Sequence, residues 1–155
     1  MKMGAGWRAP PAGRGCIRPF FLLVLPHSPV RKAIRKMKVY CAHSTAFDFR
    51  NEYYRPLARL AQAGGHEFVF PHEGRNAAQD SREVIRSCDL VLAEVSHPST
   101  GMGIELGWAS AFGKPVVALY KRDAVPSSSL SVITGEIHPY SSPDELVSIV
   151  CRFMK

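Results

Sequence analysis

Short apolar runs alternate with amphipathic stretches along most of the chain after residue 37. Compact runs rich in β-branched residues are typical of buried strands, and apolar positions that recur every three or four residues are typical of helices. The predicted strands cover residues 38–42, 66–70, 90–95, 114–120 and 137–140. The predicted helices cover residues 47–63, 80–88, 101–112 and 142–153, with a further helical turn at 130–134.

Strands that alternate with helices at this spacing imply βαβ units, in which the strands are parallel and the crossovers right-handed. We therefore predict an α/β fold, a three-layer sandwich with a mainly parallel five-stranded sheet of the flavodoxin or Rossmann kind. Ligands bind such sheets beyond the carboxyl ends of the strands. This rule places a candidate site where four segments meet, at residues 43–44, 71–73, 96–105 and 121–131.

The stretch from Ser96 to Ala109 joins the third predicted strand to a helix through a loop of small residues. Gly101 and Gly103 let a ligand approach the backbone closely, and the free N–H groups of a helix N-terminus favour an anion. Glu105 follows, in or near the first helical turn. Its carboxylate has two interpretations, either a partner of the helix dipole or a reactive acid beside an anion-holding loop, and the local pattern alone favours the dipole.

The net charge of +7 would suit a protein that binds nucleic acid or a membrane, but it is unevenly distributed. Residues 1–36 contain eight basic residues and no acidic one, whereas the remaining 12 basic and 13 acidic residues sum to −1. The positive charge belongs to this Gly-, Pro- and Arg-rich leader, so we predict neither a nucleic acid polymer nor a membrane as a partner of residues 37–155. We expect the leader to be disordered or a translation-start artefact, with the α/β domain beginning at Met37.

The four cysteines, at positions 16, 41, 88 and 151, are widely scattered and form no Cys-x-x-Cys or Cys/His cluster. We therefore predict no metal site and no disulfide framework. Cysteines beside apolar runs are typical of small buried side chains in a reducing compartment, which favours a cytoplasmic protein.

Two adjacent motifs carry a family resemblance. Residues 88–95 read Cys-Asp-Leu-Val-Leu-Ala-Glu-Val, and residues 98–107 read Pro-Ser-Thr-Gly-Met-Gly-Ile-Glu-Leu-Gly. Together they resemble the nucleoside 2-deoxyribosyltransferase superfamily, and within it the 2′-deoxynucleoside 5′-phosphate N-hydrolases. The resemblance is densest over residues 88–119, weaker across 38–155, and leaves out the leader. It implies a glycosidase, without cofactor or metal, that splits a 2′-deoxynucleoside 5′-monophosphate into free base and 2-deoxyribose 5-phosphate.

The resemblance also assigns roles to three residues. The family's nucleophilic glutamate falls on Glu105, whose carboxylate would attack the anomeric carbon and form a glycosyl-enzyme, with the helix N-terminus helping to keep the acid ionised. The hydrolases' phosphate-holding serine falls on Ser99, where the transferases that act on nucleosides carry an aspartate that would repel a phosphate. Ser131 resembles a second phosphate-holding serine that a neighbouring subunit delivers, which implies a homo-oligomer, such as a homodimer, with a shared active site.

Other positions depart from the family pattern. The family's auxiliary acid would fall on Ser81, and the nearest acid is Asp80, a catalytic candidate that also has the form of a helix N-cap. The family's first-strand tyrosine is approximated by Tyr40, one residue out of register, so that Tyr40 would point into the sheet. His43 and Ser44 are candidate phosphate or sugar contacts, or ordinary loop-capping residues.

Two alternative functions stay open at this point. A transferase that passes the deoxyribosyl group to a second base would use the same nucleophile. A catalytically silent nucleotide-binding module would account for the missing acid. His72, Glu73 and His97 are weaker candidates for base or anion contacts. The sequence identifies neither the base nor the number of subunits.

Overall fold

The computed structural model describes residues 35–74 and 80–154. Its strands are β1 (Lys38–His43), β2 (Glu67–Val69), β3 (Leu90–Glu94), β4 (Val116–Lys121) and β5 (Ile137–Tyr140). Its helices are α1 (Arg55–Gly64), α2 (Ser81–Ser87), α3 (Thr100–Ala111), α4 (Leu130–Ile133) and α5 (Pro143–Cys151), and a π-helical turn at Arg50–Tyr54 precedes α1. Every predicted strand and helix is therefore present, with bounds that differ by a few residues.

Two expectations lie largely or partly outside the described residues. The leader prediction concerns residues 1–36, of which only Arg35 and Lys36 are described. The polar loop expected after β2 includes residues 75–79, which are likewise outside. Among the described residues, no helix has the length and apolar character needed to cross a bilayer.

The five strands form one parallel sheet in the order β2-β1-β3-β4-β5, which confirms the predicted α/β class. Side chains of β1 alternate between its two faces. Tyr40 and Ala42 join the core beneath α2 and α3, whereas Val39 and Cys41 join the core beneath α1 and α5. The sheet is therefore the middle of three layers. This strand order reverses direction between β1 and β3, the point at which doubly wound sheets bind their ligands.

Helix ends follow from local chemistry. The Asp80 carboxylate accepts a hydrogen bond from the Arg82 amide at 2.9 Å, which confirms the N-cap form predicted for Asp80. The Ser142 hydroxyl caps α5 in the same way and accepts from the Glu145 amide at 3.2 Å. Gly65 ends α1 in the left-handed conformation (φ 67°), which glycine adopts without steric cost.

The first helix begins later than predicted, and its first turn is a π-helix. In a regular α-helix the N–H of residue 56 would bond the carbonyl of residue 52, and Pro56 has no N–H. The Arg55 amide instead donates to the Arg50 carbonyl, five residues back. The helical stretch begins at Phe49, two residues after the predicted start, and residues 44–48 lead from β1 into it.

Candidate active site

Three polar side chains meet where the strand order reverses. Tyr40 on β1 donates its phenol proton to Glu105 Oε1 at 2.6 Å. The Tyr40 oxygen also lies 2.9 Å from Ser81 Oγ. Because the single phenol proton is directed at the carboxylate, the Ser81 hydroxyl is the donor in the second bond. The cluster is therefore a relay, in which Ser81 donates to Tyr40 and Tyr40 donates to the Glu105 carboxylate.

The elements that carry these residues explain why they meet. Alternation along β1 places Tyr40 on the face covered by α2 and α3. Glu105 lies three residues after Met102 and four before Ala109, both buried against the sheet, so its side chain shares their inner side of α3. Ser81 is the first residue of α2, which packs beside α3. The site is thus built from one strand and the starts of two helices.

The surroundings of Glu105 change its proton affinity. Burial raises the pKa of the Glu105 carboxyl above its ordinary value, and the hydrogen bonds from Tyr40 and Ser81 lower it by less. Burial, together with the negative charge of Glu105, raises the pKa of Tyr40, so the phenol stays protonated and remains a donor. The result is a carboxylate that is poorly solvated but held by the Tyr40 hydroxyl, with the Ser81 hydroxyl beside it.

The expected pairing of Glu105 with the helix dipole is wrong. α3 begins at Thr100, so Glu105 lies in the second turn rather than the first. The dipole effect falls off within the first turn. The groups that favour the ionised form of Glu105 are therefore hydroxyls from β1 and α2, not the N-terminus of α3.

The start of α3 is open to a ligand. Ser99 holds the N-cap position, yet its hydroxyl makes no capping bond. Gly101 and Gly103 are exposed; a Cβ at Gly103 would meet nothing within 4 Å, and one at Gly101 only Ser99 Oγ at 3.9 Å. The amides of residues 100–102 have no partner within the helix, as at any helix N-terminus. An anion could therefore contact backbone N–H groups and the Ser99 hydroxyl together.

A mainly apolar cavity of about 480 Å³ lies beside this helix start. Ser99, Met102 and Leu106 line one side, and Leu130 of α4 lines another. Ser131 lies on the exposed side of α4, where its hydroxyl donates to the Ser128 carbonyl at 2.8 Å.

His43 and Ser44 are buried rather than presented to solvent. The His43 ring stacks on Phe49 with centroids 4.3 Å apart, and its nitrogens bond the Ser44 carbonyl at 2.8 Å and the Tyr54 hydroxyl at 2.5 Å. Burial lowers the pKa of His43 to about 4, so the ring is neutral at neutral pH. Ser44 Oγ accepts from the Ala46 amide at 3.2 Å. These contacts match the loop-capping alternative for Ser44 and give His43 a packing role.

The structure assigns the remaining candidates differently from the sequence. The prediction that Tyr40 points into the sheet is wrong, because its hydroxyl reaches Glu105. The Asp80 carboxylate is occupied as the cap of α2, and the neighbouring Ser81 contacts Tyr40 instead. His97 stacks on Phe47 with centroids 5.7 Å apart. Alternation along β1 would have indicated the direction of Tyr40, whereas the contact with Ser81 depends on how α2 docks.

No group of three or more His, Cys, Asp or Glu side chains within the described residues is arranged to hold a metal ion. The groups that the described residues bring to this site are a carboxylate, hydroxyl groups and the start of α3.

The family model described as nucleoside 2-deoxyribosyltransferase matches residues 28–132. The chain belongs to this family. Among solved structures, it is similar to the CMP N-glycosidase of Clostridium botulinum, with a TM-score of 0.55 and 21% identity over 75% of this chain and 98% of that one. At this identity the likeness shows a shared fold.

Curated relatives match a shorter stretch of this family member. The mouse 5-hydroxymethyl-dUMP N-hydrolase is 46% identical over 59 residues, which are 38% of this chain and 30% of the relative. A protein of Thermofilum pendens, named as a candidate 2′-deoxynucleoside 5′-phosphate N-hydrolase, is 38% identical over 69 residues, 41% of this chain and 48% of the relative. The matches thus span less than half the length of either relative.

Replacing Tyr40 with phenylalanine is expected to raise the pKa of Glu105 above its wild-type value. The substitution removes a donor that favours the ionised carboxylate, while the burial that disfavours it remains. A titration of the Glu105 side-chain carboxyl by ¹³C NMR measures this shift, and the Glu105→Gln variant identifies the signal. Ser81→Ala should shift the pKa in the same direction. A pKa in Tyr40→Phe equal to or lower than that of the wild type would contradict the assigned hydrogen bond.

Proposed function

We propose that this chain hydrolyses the N-glycosidic bond of 2′-deoxynucleoside 5′-monophosphates, with Glu105 as the nucleophile. The observation that carries the proposal is the poorly solvated Glu105 carboxylate at the point where the strand order reverses, held on Oε1 by Tyr40. The names of the mouse and Thermofilum relatives support the same class of reaction and substrate.

The geometry suits nucleophilic displacement. With Oε1 held by Tyr40, the second oxygen of Glu105 attacks the anomeric carbon as the bond to the base breaks, and the base leaves with the bonding electron pair. A water molecule then attacks the same carbon, which breaks the ester bond, frees the sugar phosphate and restores the carboxylate, and the proton that the water loses neutralises the released base. Burial favours the first step. Water solvates the negative charge of Glu105 poorly, and that charge is lost when the carboxylate forms an ester bond to the sugar.

The phosphate would bind at the start of α3. Ser99 and the exposed glycines Gly101 and Gly103 leave backbone N–H groups accessible to a dianion. Glu105 lies six residues after Ser99, about 9 Å along the helix axis. That spacing leaves room for a pentose between the phosphate and the nucleophile.

The subunit arrangement is part of the same proposal. Ser131 lies on exposed α4, where Val132 is 84% exposed and the apolar cavity beside Ser99 is lined by Leu130. A second copy that covers this apolar surface would bring a serine-rich segment toward the phosphate, so we propose a homodimer with a shared site. Cys41 and Cys88 are buried free thiols, which suits the cytoplasmic location that we propose for the protein.

Wild-type protein is expected to release free base and 2-deoxyribose 5-phosphate from at least one deoxynucleoside monophosphate, and Glu105→Gln to lose about 10³-fold or more of that rate. The amide keeps the size of the side chain but lacks the charge that attacks. Chromatographic assay of a panel of deoxynucleoside monophosphates, with and without an added acceptor base, measures the reaction. Glu136→Gln, the same change at an exposed glutamate, is the control and should retain full activity. Equal rates in the wild type and Glu105→Gln would refute the assignment, and release only with an acceptor base would identify a transferase.

Ser99→Asp is expected to lower kcat/KM for monophosphates by about tenfold to a hundredfold, because a carboxylate next to a bound phosphate is repulsive. The rate on the corresponding deoxynucleosides should change much less. Ser99→Ala is the matched control, since it removes the hydroxyl without adding charge and should cost only a few-fold. Steady-state kinetics on paired nucleotide and nucleoside substrates give both ratios. If Ser99→Asp and Ser99→Ala behave alike on monophosphates, the phosphate does not bind at Ser99.

A further inference from the structure

A second acid lies at the end of β3, on the face of the sheet opposite Tyr40. Glu94 is fully buried. Its Oε1 accepts hydrogen bonds from the Ser96 hydroxyl and, at 3.0 Å, from the Tyr140 hydroxyl. Within residues 35–74 and 80–154, Glu94 Oε2 has no hydrogen-bond partner. The mechanism proposed for Glu105 does not use this residue.

Burial outweighs the charge that faces Glu94, because a positive charge on His97 would lower the pKa of Glu94 by less than burial raises it. Tyr53 comes from the π turn, Tyr140 from β5 and His97 from the loop that follows. The nearby basic residue Lys121 is paired with Glu52 at 2.5 Å. Among the described residues, no basic side chain forms an ion pair with Glu94.

This environment disfavours an ionised carboxylate. A buried charge is tolerated when it is paired and when both oxygens are hydrogen bonded, and Glu94 satisfies neither condition. Burial raises the pKa of Glu94, and the bonds from Ser96 and Tyr140 lower it by less. A neutral carboxylic acid keeps both bonds at Oε1 without the cost of an unpaired charge.

Glu94 is also connected to the loop that carries Ser99. The Ser96 oxygen that donates to Glu94 accepts a hydrogen bond from the Lys121 amide at 2.7 Å. One hydrogen-bonded chain thus links Tyr140, Glu94, Ser96 and Lys121, and it joins the ends of β5, β3 and β4. Residue 96 is the second residue of the loop of residues 95–99, which leads to α3. The hydrogen-bonded chain therefore holds this loop where it leaves β3.

We propose that Glu94 acts as a neutral carboxylic acid that positions the loop of residues 95–99 by holding the Ser96 hydroxyl against the end of β4. It is a positioning residue, because its contacts are with Ser96 and Tyr140 and the ligand would bind further along the loop. Its effect on substrate rests on the proposed function, whereas its protonation and its hold on Ser96 do not.

Stability as a function of pH tests the protonation. A folded chain that keeps the proton on Glu94 loses stability as the pH rises above the ordinary carboxyl pKa, where the unfolded chain releases that proton. The melting temperature of the wild type minus that of Glu94→Gln should therefore decrease as the pH is raised from about 4 to about 8. Other titrating groups, including Glu105, are present in both proteins, so their contributions to the difference in melting temperature cancel. Glu67→Gln, at an exposed glutamate, should not reproduce this difference. A difference that is constant with pH, or that rises, would overturn the proposal.

Hydrogen exchange at the Lys121 amide tests the positioning. Glu94→Gln keeps an acceptor for Ser96 and should retain wild-type protection, while Glu94→Ala should exchange at least about tenfold faster. Ser96→Ala removes the acceptor directly and should match Glu94→Ala; it also serves if Glu94→Ala does not fold. Unchanged protection in Glu94→Ala, or in Ser96→Ala, would overturn the positioning role.

Nucleotide kinetics then separate this inference from the proposed function. If the wild type hydrolyses deoxynucleoside monophosphates, Glu94→Ala should raise KM by about tenfold with a smaller change in kcat, and Glu94→Gln should stay within about threefold of the wild type. An equal loss in both variants would overturn the neutral-acid role. If no nucleotide is cleaved while the stability and exchange results hold, the proposed function fails and the role of Glu94 stands.

Discussion

The hydrogen bond from Tyr40 to Glu105 is the contact on which the candidate site depends. It connects β1 to α3. The strand order reverses between β1 and β3, and α3 is the helix that follows β3. A carboxylate left half-buried without that donor would be driven toward its protonated form. With the donor, the acid remains available as an anion although water reaches it poorly. In the proposed mechanism, the fold supplies both the burial that makes the carboxylate reactive and the hydroxyl that favours its ionised form.

The region around the end of β3 places two acids in contrasting environments. Glu105, on the side of α2 and α3, is partly exposed and accepts a hydrogen bond from Tyr40. Glu94, on the side of α1 and α5, is fully enclosed and has one oxygen without a partner among the described residues. Burial raises the pKa of both carboxyls. Their different access to solvent and to donors separates the proposed nucleophile from the proposed positioning group.

Much of the fold could be predicted from the sequence, because strand and helix periods are local properties. The strand predicted at 137–140 coincides with β5, and the cap predicted at Asp80 begins α2. The sequence predicts the start of α3 at residue 101, one residue from the observed Thr100, and either start places Glu105 beyond the first turn. The π turn was missed because the apolar period continues through Pro56, whose missing N–H changes the backbone without changing the pattern.

The site was only partly predictable for a related reason. Glu105 and Ser99 lie within one continuous motif, so a family resemblance could locate them. The contact between Tyr40 and Ser81 joins residues 41 positions apart and forms only when α2 docks on the sheet. His43 was a reasonable candidate from its place after β1, but its enclosure by aromatic side chains is a tertiary property.

The central claim is that Glu105 forms a covalent bond to the sugar. Wild-type protein mixed with a cleaved deoxynucleoside monophosphate, quenched with acid during turnover and digested, should yield a peptide that carries a deoxyribose phosphate adduct on Glu105 by tandem mass spectrometry. The adduct should be absent from Glu105→Gln treated in the same way. An adduct on another residue, or base release by the wild type with Glu105 unmodified throughout turnover, would contradict the account.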